Sequence, residues 1–384
     1  MSNHISPPEN HQIPTLNFDN LEVFSALGRG SKGVVFLVKA DNKRLALKVI
    51  LRESIESKEA KDDEYRRVSF EQGVLSRFDH PLFPRLHGVL STDKVVGYAI
   101  DYCPGRDLNS LRKKQSEEMF SDEIIKFYAA ELVIALEYLH NQGIVYRDLK
   151  PDNVMIQENG HLMLVDFDLS TNLPPRTPRS SSPSTPRSSS PSPTKKERSF
   201  FAFSGFCNSG ISPDDSVSRS SESKSSGEKS NSFVGTEEYV APEVIAGNGH
   251  DFAVDWWSLG VVLYEMLYGA TPFKGSNRKE TFFKILSEPP SLVGETTTLR
   301  DLVRKLLEKD PSRRINVEGI KGHGFFRGLD CDLVVKVSRP PYIPAPENYE
   351  ISKIDVEKFV REIFTDNSNM KTNDQINNGD FNVF

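Results

Sequence analysis

The chain has 384 residues, with 48 Lys+Arg against 54 Asp+Glu, three Cys, 24 Gly and 24 Pro; that length suits one large two-lobed domain or two ordinary ones. Cys103, Cys207 and Cys331 lack CxxC or Cys/His spacing, which argues against a disulfide scaffold or a zinc module and makes a reducing compartment the default. The net charge of −6 argues against a nucleic-acid binder, and the absence of a leader pattern or a run of about 18 apolar residues predicts a soluble, cytoplasmic chain.

After an N-terminal extension (1–20), residues 33–39 (GVVFLVK) and 44–50 (RLALKVI) are short apolar runs separated by Ala40-Asp41-Asn42-Lys43, which predicts a hairpin. Residues 65–78 place Val68, Val74, Leu75 and Phe78 near helical spacing, and 124–140 do so more strongly through Ile124, Phe127, Tyr128, Leu132, Ala135, Leu136 and Leu139. Residues 171–230 then hold 20 Ser and 8 Pro, with nine basic against five acidic side chains. No packed element fits there. This insert carries +4, which leaves −10 on the remainder of a chain whose total is −6. Helical patterns return over 255–268 and 299–307, and a second polar stretch covers 366–380. A strand-rich first part followed by a helix-rich second part predicts an α+β fold of two lobes with a cleft between them.

Gly28-Arg29-Gly30-Ser31-Lys32-Gly33 is a G-x-G-x-x-G, shared by two unrelated nucleotide-binding devices. The strand-like Val34-Val35-Phe36-Leu37-Val38 that follows favours a glycine-rich hairpin whose backbone N–H groups approach phosphate oxygens; a tight turn with incidental glycines is the alternative. Lys48 lies within the next strand, where an ammonium is costly to bury without anionic partners. The run Tyr146-Arg147-Asp148-Leu149-Lys150-Pro151-Asp152-Asn153, with Asp166-Phe167-Asp168 after it, sets polar groups at the ends of short apolar stretches. Asp148 can accept or orient the proton of an attacking hydroxyl. Asn153 and Asp166 offer oxygens to hard Mg²⁺, and Lys150 can neutralise charge on a transferring phosphoryl group. Surface ion pairing would explain one of these motifs but not four in a fixed order.

Together, the three glycines, Val35, Lys48, the YRDLKPDN run, Asp166 and Ala241-Pro242-Glu243 resemble the eukaryotic protein-kinase signature set over residues 21–326. Tyr146 and the Asp255-Trp256-Trp257-Ser258-Leu259-Gly260 run are similar to the AGC group of serine/threonine kinases, and Asp168 with the long insert to its plant branch. The resemblance implies a bilobal fold, with a sheet and one main helix in the N-lobe and a helical C-lobe. It also implies ATP and Mg²⁺ as cofactors, and protein Ser/Thr as acceptors. It makes Glu71 the helix carboxylate that pairs with Lys48, with Glu64 as the fallback register. The nucleotide would meet Leu27, Gly28, Arg29, Gly30, Ser31, Gly33, Val35 and Ala46 from the sheet, and Ile100, Asp101 and Cys103 at the hinge. Asp107 would meet the ribose, and Glu243 and Arg314 would form a buried ion pair.

Asp107, Asp152 and Glu265 match a substrate rim, so basic residues upstream of the acceptor are expected; a merely solvated acidic face is the alternative. Thr236 is expected to touch Asp148 and Lys150. Arg147 is expected to pair with an activating phosphate on Ser232, with Ser230 as the rival. Asp168 in place of Gly takes positive φ only at moderate cost and adds a carboxylate beside Asp166, so a stiffer metal-binding segment rather than loss of catalysis is expected.

The insert carries six Ser/Thr-Pro pairs, open to proline-directed kinases. Its Lys195-Lys196-Glu197-Arg198-Ser199-Phe200-Phe201-Ala202-Phe203 patch fits either an anionic membrane surface or a solvated linker, so a peripheral plasma-membrane or nuclear location joins the cytoplasmic one. The C-terminal extension (327–384) ends in Phe381-Asn382-Val383-Phe384, similar to the FxxF that docks into an N-lobe hydrophobic pocket, either its own or that of an upstream phosphoinositide-dependent kinase. A monomer is expected. A catalytically inactive kinase-fold scaffold is the alternative from another class.

Overall fold

A computed structural model describes residues 13–30, 33–56, 63–173, 235–336, 340–345, 354–365 and 382–383. The small lobe is a seven-stranded sheet. β1 (Thr15–Leu16) lies parallel to β5, while β2 (Glu22–Arg29), β3 (Gly33–Ala40), β4 (Lys43–Leu51), β5 (Leu86–Ser91) and β6 (Val95–Asp101) form an antiparallel body in the order β5-β6-β4-β3-β2. The predicted β3–β4 hairpin turns at Asp41 and Asn42 with φ of 46° and 65°, the left-handed pair that a two-residue turn between twisted strands requires.

Strand alternation then sorts the side chains. Val34, Phe36 and Val38 of β3, and Leu45, Leu47, Val49 and Leu51 of β4, face an outer apolar layer. Gly33, Val35, Ala46, Lys48 and Ile50 face the cleft. A Cβ on Gly33 would lie 2.5 Å from the Val49 carbonyl oxygen, so this glycine is needed where β3 crosses β4.

α1 (Arg52–Glu56) and α2 (Asp63–Leu75) follow β4, with Ile50, Ile55 and Val68 as a small core beneath them. α2 ends before the expected Phe78, because Phe78 packs into an aromatic cluster with Phe83, Tyr138 and Phe167 instead of continuing the helix.

The large lobe is helical: α3 (Leu108–Lys113), α4 (Asp122–Asn141), α5 (Pro242–Ile245), α6 (Ala253–Tyr268), α7 (Arg278–Ser287), α8 (Thr298–Leu306) and α9 (Val317–Lys321). α4 begins two residues before the apolar pattern because Ser121 caps it, its side chain accepting from the Ile124 amide. Its buried face and that of α6 share one core. The pairs β7 (Ile144–Val145) with β10 (Thr171–Asn172) and β8 (Val154–Ile156) with β9 (Leu162–Leu164) present the loops between them to the cleft. Arg314 donates to both Glu243 carboxylate oxygens at 2.7 and 2.9 Å inside this lobe, as expected.

Beyond residue 326 the chain crosses the β8–β9 turn, where Gly160 has φ of 87° and the Tyr342 carbonyl leaves no room for a Cβ. An element not expected from the sequence follows, α10 (Val356–Thr365), which lies on the outer layer of the sheet with Val356 and Val360 in that core. β11 (Asn382–Val383) pairs parallel with β2 at Gly28 and Arg29. The insert from 174 onward, with its phosphorylatable pairs and basic-aromatic patch, lies outside the described residues, as do Ser31, Ser230, Ser232, Phe381 and Phe384. Among the described residues no helix is long and apolar enough to cross a membrane.

Candidate active site

A cavity of about 420 Å³ separates the lobes. Of the nucleotide residues expected from the sequence, Leu27, Gly30, Gly33, Val35, Ala46, Lys48, Ile100, Asp101 and Cys103 line it. Gly28 and Arg29 do not: the register of β2 against β3 shifts between Ala26 and Gly28, which breaks the alternation that would set Arg29 on the Leu27 face, and the Arg29 guanidinium donates to the carbonyl of Ile363. Asp107 is also absent from the wall. It is 3% exposed and caps α3, accepting from the Ser110 amide at 2.7 Å and the Ser110 hydroxyl at 2.6 Å, so its carboxylate is committed to the helix end rather than to a ribose. The exposed Arg106 beside it lines the cavity mouth instead, with φ of 61°.

At the back of the cavity Lys48 donates to Glu71 Oε2 at 3.0 Å and to Asp166 Oδ1 at 3.4 Å. The pairing settles the register on Glu71. Burial would push the Lys48 ammonium down, but the carboxylates of Asp166 and Glu71 more than offset it and hold Lys48 well above its ordinary value. Burial likewise pushes Asp166 up, yet Lys48, the Asp168 amide and Lys150 hold it below the usual carboxylate value. Glu71 also accepts the Phe167 amide at 3.0 Å, which ties α2 to the loop after β9. The left-handed residue of that loop is Asp166, with φ of 61°, and Asp168 is not among the positive-φ residues. The backbone cost expected for Asp168 therefore does not arise.

The catalytic-loop residues converge on Asp148. Its Oδ1 accepts from the Thr236 hydroxyl at 2.8 Å and the Thr236 amide at 3.2 Å, and its Oδ2 from Lys150 at 3.1 Å and Asn153 Nδ2 at 3.0 Å. Lys150 reaches the Thr236 hydroxyl at 3.3 Å, as expected. Asn153 Oδ1 is buried with no hydrogen-bond partner. Together with the Asp166 carboxylate on the same wall, it forms an oxygen pair suited to a hard divalent cation.

The Tyr146 and Arg147 amides donate to buried Asp255 at 2.9 and 2.8 Å, which fixes the loop on α6. Arg147 has φ of 70°, and burial together with the nearby Arg67 guanidinium brings it down to about 10 against the pull of Asp255.

The substrate rim is altered. Glu265 is buried, 3.3 Å from Arg112 and accepting from the Tyr239 hydroxyl at 2.5 Å, because it ties α6 to the segment before α5. Asp152 accepts from Asn109 at 3.1 Å. Burial pushes the Glu265 carboxyl above its ordinary value against the Tyr239 hydroxyl and Arg112, with Asp152 and Glu238 adding to the rise; Glu238 was not foreseen as part of this cluster. Also unread were Tyr98, Met155 and Val165 of the cavity wall. Met155 had a signal: between buried Val154 and Ile156 it must face the opposite side of its strand.

Comparison with known proteins agrees with this geometry. A family described as protein kinase domain matches residues 21–198 and 217–326. The chain is 72% identical over 370 residues to serine/threonine-protein kinase OXI1 of Arabidopsis thaliana, covering 92% of this chain and 87% of the relative. It is 41% identical to serine/threonine-protein kinase UCN of the same plant, covering 91% and 89%, and 38% identical to its serine/threonine-protein kinase AGC1-5, covering 87% and 61%.

Proposed function

The chain belongs to the protein kinase family, among the plant AGC serine/threonine kinases, and on that footing we propose that it is an active enzyme transferring the γ-phosphoryl group of ATP to protein serine and threonine. The observation that carries this reading is Asp148, whose Oδ1 already accepts an alcohol O–H, from Thr236 at 2.8 Å, while Lys150 sits 3.1 Å from its other oxygen. A carboxylate so held orients an acceptor hydroxyl and takes its proton as the new O–P bond forms and the bond to the ADP oxygen breaks. Lys150 offsets charge on the transferring group. Lys48, fixed by Glu71, meets the nucleotide phosphates, and Gly30 and Gly33 on the cavity wall put no side chain in their way.

Asn153 Oδ1 and the Asp166 carboxylate fit Mg²⁺, and no other described polar atom satisfies the former. When bound, the ion supplies neutralisation of phosphate charge. Leu27, Val35, Ala46, Ile100 and Cys103 offer adenine an apolar slot, with the hinge backbone at Asp101–Cys103 for its edge.

Ser232 is the proposed activating phosphosite: Arg147 and Arg67 stand close enough for their charges to interact, which suits an arriving phosphate that bridges α2 and the catalytic loop. Phe381 and Phe384 are proposed to recruit an upstream phosphoinositide-dependent kinase. Preference for basic residues before the acceptor rests on Asp152, since Asp107 and Glu265 are committed to α3 and α6 and Glu238 accepts from the Thr271 hydroxyl and pairs with Lys274.

The test is purified full-length protein with ATP, Mg²⁺ and an arginine-rich serine peptide. Phosphate transfer is expected from wild type and a loss of about 10³-fold or more from Asp148→Asn. No transfer from phosphorylated wild type, or equal transfer from the variant, would sink the proposal and leave the scaffold reading.

A further inference from the structure

Tyr98 stands directly opposite Lys48 in the β4–β6 register, so the two side chains leave the sheet on the same face, and both line the cavity. The tyrosine is 1% exposed and shares its core with Val74 and Leu75 at the end of α2. The Lys48 ammonium lies 5.7 Å from the ring centroid, close enough for attraction by the aromatic face. The Tyr98 hydroxyl donates to the Glu71 carboxylate. Burial, and then the Glu71 charge, push the phenol well above its ordinary value against the pull of Lys48, so the oxygen keeps its proton.

A phenylalanine would fill the same core volume without bringing a polar atom that needs a partner, so a buried tyrosine here points to a use for the hydroxyl. The buried apolar residues of α2 lie to either side of Glu71: Val68 in the small core with Ile50 and Ile55, and Val74 and Leu75 in the main core one turn later. Between them Glu71, 2% exposed, is fixed by polar partners from three places: Lys48 on β4, the Phe167 amide after β9, and Tyr98 on β6. Tyr98 meets both members of the Lys48–Glu71 pair, and does so from a strand that is itself paired with β4.

Resting on the kinase reading above, we propose that Tyr98 is a positioning residue for phosphoryl transfer: its hydroxyl holds Glu71 and its ring backs Lys48, so that α2 stays docked and the ammonium stays directed into the cleft before nucleotide arrives. The pair is then a triad, its third member drawn from the strand that leads into the hinge. A site assembled in advance loses none of the nucleotide's binding energy to ordering the lysine.

The experiment compares wild type, Tyr98→Phe, Glu71→Gln and the double variant as full-length chains, in steady-state phosphorylation of a serine peptide and in hydrogen exchange without nucleotide. Tyr98→Phe keeps the ring in the core and removes one oxygen, so the fold is retained, which an unchanged circular dichroism spectrum checks. Its kcat/KM for ATP is expected to fall about tenfold, the lower end for a hydrogen bond to a charged group, with a raised KM for ATP and an unchanged KM for peptide. Once Glu71 is replaced by glutamine, losing the hydroxyl should cost about threefold or less. The α2 amides of nucleotide-free protein should exchange faster in Tyr98→Phe, while those of α4 and α6 stay as in wild type. A merely structural role would instead lower kcat through the folded fraction, leave KM for ATP alone and speed exchange throughout. That pattern, a Tyr98→Phe variant within about twofold of wild type, losses that multiply in the double variant, or unchanged α2 exchange would each overturn the proposal. Wild type that transfers no phosphate would overturn the kinase reading beneath it, and the α2 exchange rates distinguish that failure from a failure of the Tyr98 contact.

Discussion

Glu71 is the point at which α2, Lys48 and the Asp166–Asp168 loop are joined, and its two oxygens do separable jobs. Oε2 takes the Lys48 ammonium at 3.0 Å, whereas Oε1 takes the Phe167 amide at 3.0 Å and Lys48 again at 3.3 Å. Glu71→Gln keeps an oxygen for the Phe167 amide but removes the charge, leaving Lys48 with Asp166 at 3.4 Å. A hydrogen bond to a charged group contributes about 1.5–3 kcal/mol, so kcat/KM should fall roughly 10- to 150-fold. Glu71→Ala also strands the Phe167 amide, and a buried unsatisfied donor costs about 1–3 kcal/mol. That variant should therefore be at least about fivefold worse than the glutamine variant. Steady-state phosphorylation of a serine peptide at saturating and limiting ATP measures both steps. A glutamine variant within twofold of wild type would refute the role given to the charge, and equal losses in the two variants would refute the role given to the Phe167 amide.

Two further outcomes follow from buried charges elsewhere. Glu243→Ala leaves Arg314, whose side chain is fully buried, with carbonyl oxygens and the Trp257 ring but no counter-charge; unfolding should cost about 3–5 kcal/mol less, lowering Tm by roughly 5–9 °C, and a shift under 2 °C in a thermal melt contradicts the assignment. Asp101 accepts from His87 and Lys43 at 2.8 Å and from the Arg85 amide at 2.8 Å. Burial would raise its pKa, but these bonds outweigh it and hold the carboxyl well below its ordinary value. A depressed folded-state pKa contributes stability that is complete above the unfolded value near 4 and is lost as pH falls below it. Asp101→Asn should therefore flatten the acid limb of a urea-midpoint profile between about pH 5 and 3, and an identical limb would count against the network.

The chemistry of the site was legible because it is written in short segments whose residue types have few other uses. Lys48 inside an apolar strand demanded carboxylates, and Glu71 and Asp166 supply them. Thr236 was read correctly across an insert of 60 residues because its partners, Asp148 and Lys150, were already named. Side-chain direction was less legible. Asp107 and Glu265 are acidic at rim positions, yet one caps α3 and the other pairs with Arg112, choices made by neighbours that a linear motif does not record. The left-handed backbone falls on Asp166 rather than Asp168 for the same reason: loop closure, not residue type, assigns it. α10 could have been found. Val356, Phe359, Val360, Ile363 and Phe364 fall at i, i+3, i+4, i+7 and i+8, the pattern of one apolar helix face, but the polar residues after it drew the whole region into the reading of an extended tail.

That helix changes what holds the small lobe together. Five antiparallel strands alone would leave both sheet edges and one whole apolar face open, and exposed edges invite pairing with other chains. β1 closes one edge, where the Val89 amide donates to Pro14 at 2.9 Å, and β11 covers the end of β2 at the other. α10 covers Phe36 and its neighbours between them. Each of these pieces lies outside residues 21–326, so the packing unit of the small lobe is wider than the matched family domain. The strands that carry Lys48 and the glycine turn have one face in the cleft and the other under α10. Since these strands are a single sheet thick, α10 and the cavity lie against opposite faces of the same strands, with no second layer between them.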